Sequence, residues 1–158
     1  MQQLVLGIIY LIFFLSGAAA LVYEVLWVRY LSLVFGGSHL AVTTVLAVFM
    51  GGLALGSYTI GKKVGDYRKL LRLYGFLELG IAASALVFVA LMRLYPIIYV
   101  PLAQISDSSP VYLSIIRVTF AAVALIVPTT LMGGTLPVLS SFISNRAAGL
   151  GSRLSFLY

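Results

Sequence analysis

Four apolar stretches dominate the chain, and polar residues fall mainly between them. Gln2 to Tyr23 carries no charge, nor does Tyr30 to Gly61 or Val118 to Asn145. A fourth stretch, Leu70 to Leu94, is interrupted only by Arg72, Glu78 and Arg93. A helix needs about 20 apolar residues to cross a hydrocarbon core of roughly 30 Å. The pattern predicts an all-α polytopic membrane protein with helices at about 4–33, 39–61, 70–94 and 111–142, one transmembrane domain over 1–158. At about 1.5 Å per residue the first and last would measure about 45 Å, so they tilt, kink or protrude. Residues 143–158 read as a cytoplasmic linker or the start of a further, missing helix. Leu4–Leu15 followed by Ala18-Ala19-Ala20 has some look of a signal peptide. No Lys or Arg precedes it, however, and apolar sequence runs on to Val28.

Composition excludes the soluble alternatives. Hydrophobic residues make up 62% of the 158 and charged residues 9%, where a soluble domain has about 45–50% and about 25%. A globule this small has too much surface to hide that apolar content. The absence of Cys excludes disulfides and thiolate sites, and the one His leaves no cluster for a metal. The sequence therefore implies no metal and no cofactor.

The net charge of +6 points to topology rather than to nucleic acid. Lys62, Lys63, Arg68 and Lys69 crowd the link between the second and third helices, and Arg146 and Arg153 follow the fourth. The positive-inside rule puts that link and both termini in the cytoplasm, for a protein of the cell inner (plasma) membrane. The basic link would also attract anionic lipid, and Asp66 within it could latch the inner helix ends. Segment 95–110 becomes the outer loop, its prolines and small polar residues ending the third helix. Trp27, Tyr30, Tyr95, Tyr99 and Tyr112 would sit at the outer interface. His39, by Gly36-Gly37-Ser38, reads as an interfacial turn residue.

Membrane helices associate through close backbone approach at small residues. Gly52 and Gly56, four apart on one face of the second helix, are expected to meet Gly17-Ala18-Ala19-Ala20 of the first. The fourth helix carries Pro128 and Pro137 with Gly133-Gly134 between them. Each proline removes a donor, so a kinked or locally unwound stretch is expected, with Thr129, Thr130 and Thr135 capping freed carbonyls.

Charges inside spans are costly and normally face the bundle interior. The candidates for substrate or ion binding are Glu24, Glu78, Arg117, Thr129 and Thr130. Glu24 and Arg117 could share a depth. Glu24 and Arg29 are five apart, off the i,i+4 relation, and Arg29 would snorkel. Glu78 lies about 12 Å inside the third helix, where Thr129 or Thr130 could hydrogen-bond it or a proton could neutralise it. These groups serve either as structural glue or as a proton or cation relay.

Four motifs stand in order along the chain. They are Ser16–Arg29 (SGAAALVYEVLWVR), Phe49–Ser57 (FMGGLALGS), Leu73–Gly80 (LYGFLELG) and Pro128–Pro137 (PTTLMGGTLP). Together they resemble the membrane domain of the fused transporter-like/spermidine synthase proteins of bacteria and archaea. Gly61–Lys69 resembles the loop between helices 2 and 3 of major facilitator transporters, although Tyr67 stands where an Arg would be usual. The resemblance implies a following cytoplasmic aminopropyltransferase domain, which moves an aminopropyl group from decarboxylated S-adenosylmethionine to putrescine. This chain carries no strand–glycine loop–helix unit for that cofactor and only four carboxylates. It is expected to be a truncated, non-catalytic piece that anchors or handles a small polyamine-related molecule. The alternatives are a half-transporter for a small cation or metabolite, and a membrane scaffold. Its expected partners are the bilayer and either that transferase domain or a second copy of the chain.

Overall fold

A computed structural model describes residues 2–35, 38–66, 69–105 and 110–155, all in four long helices and one short turn except Lys69. The helices are α1 (Gln2–Phe35), α2 (Ser38–Lys63), α3 (Leu70–Ile105) and α4 (Pro110–Ser155), with a single 3-10 turn at Val64–Asp66 before α3. There is no strand among the described residues. All four helices are long and apolar enough to cross a membrane. The chain is a multi-pass membrane helix bundle.

The helices are longer than the sequence pattern predicts, most of all at the ends assigned to loops. α3 does not stop at residue 94; it runs through Pro96 and Pro101 to Ile105. Residues 95–105 and 110 of the expected outer loop are therefore helical, and residues 106–109 lie outside the described set. Proline breaks helices in water because the freed carbonyl and the turn have other partners. In an apolar surrounding the backbone has none, so continuing the helix is the better solution. α4 likewise runs on to Ser155, so residues 143–155 continue it as helix. It also stays α-helical across Pro128–Pro137, with no unwound stretch.

Helices successive in the chain alternate in direction, so every second one runs the same way. α1 runs parallel to α3: Ser16 meets Glu78, and Trp27 meets Phe88 further along. α2 runs parallel to α4, with Gly52 against Thr129, Gly56 against Thr130 and Gly134, and Gly61 against Pro137. This α2–α4 seam is the most extensive interface. A Cβ on Gly52 would lie 2.6 Å from that of Thr129, and one on Gly133 would lie 2.7 Å from the Leu53 Cα. The backbones can approach this closely only because those Cβ atoms are missing. The small face of α2 therefore meets α4, not α1. A Cβ on Gly17 would meet nothing within 4 Å. On the α4 side the close approach uses Gly133 and Gly134, where an added Cβ would strike Leu53 and Ile60 of α2.

α1 is the least buried span. It is held toward its C-terminal end by an aromatic cluster. Trp27 is 2% exposed and stacks on Tyr23 at 5.9 Å between ring centroids. Phe88 lies 5.9 Å away and Phe49 6.5 Å. Trp27 is thus a core residue rather than an interfacial ring. Tyr30 and Tyr112 remain exposed.

Candidate functional site

The bundle interior gathers polar side chains at two levels. The first is set by α3. Tyr74, Leu77, Glu78 and Ile81 fall on one helical face, and Tyr74, Leu77 and Ile81 are buried. That face turns Glu78 toward α1, where the Ser16 hydroxyl donates a hydrogen bond to Glu78 Oε1 at 2.6 Å. The Tyr74 hydroxyl lies beside this pair. It is buried and meets full hydrogen-bond geometry with no group among the described residues. A cavity of about 90 Å3 adjoins the pair, with Glu78, Ser16, Tyr23 and Met132 in its lining.

The partner of Glu78 differs from expectation. Thr129 faces α2, and its hydroxyl donates to the carbonyls of Leu125 (2.7 Å) and Ile126 (3.2 Å) on its own helix. Thr130 presents its carbonyl to Gly56. Thr135 donates to the Met132 carbonyl at 2.7 Å. Pro128 and Pro137 free the carbonyls of Ala124 and Gly133, four residues back. These hydroxyls thus cap neighbouring carbonyls instead of the freed ones.

The second level lies further along α3. Arg117 Nε donates to the Tyr99 hydroxyl at 3.0 Å, and Nη2 donates to the same oxygen. The guanidinium also lies 5.1 Å from the Tyr99 ring centroid, where the ring face attracts a cation. Tyr99 stacks on Tyr95 at 5.0 Å, and Tyr95 packs on Phe120. This explains why Arg117 does not share a depth with Glu24. Glu24 is three residues short of Trp27, which pairs with Phe88, whereas Arg117 sits at Tyr95–Tyr99. Seven residues of α3 between Phe88 and Tyr95 alone separate the levels by about 10 Å. Glu24 is half-buried on α1. We expect Tyr99→Phe to keep the ring contact and lose the hydrogen bonds. It should lower stability by about 1 kcal/mol, read by unfolding in detergent, and an unchanged midpoint would remove Tyr99 as the anchor of Arg117.

Lys62 and Lys63 are exposed in the last turn of α2. The Lys69 carbonyl accepts the amides of Arg72 (3.0 Å) and Leu73 (3.1 Å), which starts α3. The Asp66 side chain and Arg68 lie outside the described residues, and so does the latch assigned to Asp66. His39 belongs to the first turn of α2, not to a turn between helices, and its carbonyl accepts from Thr43 at 2.9 Å. No cluster of three metal-binding side chains occurs among the described residues.

Sequence reasoning did not single out Ser16 or Tyr74. Tyr74 offered a signal: it lies four residues from Glu78, hence on the same face. Ser16 is a lone hydroxyl within an apolar run, which alone does not reveal a partner on a distant helix. Against this geometry the chain matches no family model, no curated protein and no solved structure.

Proposed function

We propose that the chain is a membrane module without catalysis of its own, in which Glu78 receives a small cationic molecule of the amine class. One observation carries this reading: an intramembrane carboxylate, hydrogen-bonded to Ser16, lines a cavity inside the bundle. Intramembrane acids ordinarily mark ion or substrate sites. The resemblance to the transporter-like/spermidine synthase fusions supports an amine as the cation. In this reading Lys62, Lys63, Arg68 and Lys69 face the cytoplasm with both chain ends, in a plasma membrane. Pro128 and Pro137 give α4 a place to bend. A second reading, a half-transporter, draws on the depth of Glu78, about 12 Å from the start of α3.

The test is equilibrium binding of ethylamine, octylamine and putrescine to purified protein, beside Glu78→Gln and Glu24→Gln. Binding of at least one amine should weaken at least ten-fold in Glu78→Gln and stay unchanged in Glu24→Gln. Should no amine distinguish Glu78→Gln from the parent while the variant remains folded, the reading fails. Glu78-dependent uptake into sealed proteoliposomes would select the half-transporter. An aminopropyl transfer assay on this chain should be blank.

A further inference from the structure

We infer that the Glu78 site takes an amphiphilic monoamine, a single ammonium on an apolar body, entering from the plane of the bilayer. This rests on Glu78 as a cation-binding group and narrows the class of cation. A cleft of about 400 Å3 lies between α1, α2 and α4, walled by Phe13, Leu21, Phe49, Leu53, Met132 and Leu136. That volume falls in the range of small-molecule sites. The cleft abuts the Glu78 cavity, since Ser16, Ala20, Ile81 and Met132 line both.

Its rim sets the route of entry. Gly17, Leu21, Ser57 and Leu136 are exposed, and each stands six or more residues inside the ends of its span. The mouth therefore opens sideways onto hydrocarbon, not onto either aqueous face. A wholly polar solute would have to cross lipid to reach it.

Its charge sets the head group. Among the residues lining the two spaces, Glu78 is the single acidic one. One ammonium there donates a charge-assisted hydrogen bond to the carboxylate. A second ammonium on the same ligand would meet no second carboxylate, only the Ser57 and Thr135 hydroxyls among walls such as Phe13, Phe49 and Leu53, a costly burial of charge. A diamine is therefore disfavoured. A neutral alkyl chain fills the cleft but leaves Glu78 unanswered.

The experiment titrates the whole protein, in nanodiscs of zwitterionic lipid, with octylamine, 1-octanol and putrescine, and subtracts partition into empty nanodiscs. Octylamine should bind saturably and at least ten-fold more tightly than 1-octanol or putrescine. Its binding should fall at least ten-fold in Glu78→Gln. Equal binding of octylamine and 1-octanol overturns the inference, because the cleft would then be filled by any chain. Putrescine binding as tightly as octylamine, in a Glu78-dependent way, overturns the single-charge claim and leaves the cation reading standing. Absence of Glu78-dependent binding for all three ligands overturns both. The three-ligand comparison on the parent protein needs no variant to fold.

Discussion

Gly56→Ala is expected to lower stability by about 3 kcal/mol, the upper part of the range for overpacking. The added methyl would overlap the Thr130 carbonyl oxygen and sit 2.8 Å from its carbon and 3.0 Å from the Gly134 nitrogen. All three are backbone atoms, so no side-chain rotation can relieve the overlap, and α2 and α4 must part. Gly51→Ala is the control, because nothing lies within 4 Å of a Cβ there. It should be neutral or gain up to about 1 kcal/mol from helix propensity. The pair is compared by reversible unfolding in mixed micelles. Equal midpoints for the two variants would show that the α2–α4 seam does not govern stability.

Trp27→Ala should cost about 3 kcal/mol, at the lower end for a buried aromatic. Most of the usual transfer contribution is lost here, since an unfolded helix still lies in hydrocarbon as apolar as the core. What remains is the cavity and the lost ring contacts with Tyr23, Phe49 and Phe88. Those contacts tie α1 to α2 and α3 at once. Phe76→Ala, at a side chain 65% exposed, should shift stability by no more than about 0.5 kcal/mol. Circular dichroism during unfolding reads both, as Trp27 is the single tryptophan. If Phe76→Ala proves as costly as Trp27→Ala, the aromatic cluster is not what holds α1.

The helices were legible because apolar run length is a direct physical requirement of the bilayer. The glycine face of α2 was legible for the same kind of reason, since four-residue spacing fixes a face. Its partner was not, because spacing within one helix says nothing of which helix comes alongside. Thr129, Thr130, Gly133 and Gly134 carried the matching signal, but beside two prolines they read as a weakness in α4 rather than as its contact surface. Pro96 and Pro101 misled by their behaviour in water. That error also shortened the expected bundle, and so placed Arg117 at the level of Glu24. The Ser16–Glu78 pair depends on the register between α1 and α3, which neither sequence contains by itself.

The α2–α4 seam also has a history in time. About 70 residues separate Gly56 from Thr130, so a ribosome adding roughly 5–20 residues per second leaves several seconds between them. Throughout that interval the small-residue face of α2 has no native partner, although α1 can already pack elsewhere on α2. The closest joint among the described helices therefore cannot form until α4 has been made. A stalled or prematurely released chain ending before α4 would expose a helix built to let another backbone approach closely, and the first such backbone it meets in the membrane would belong to a stranger.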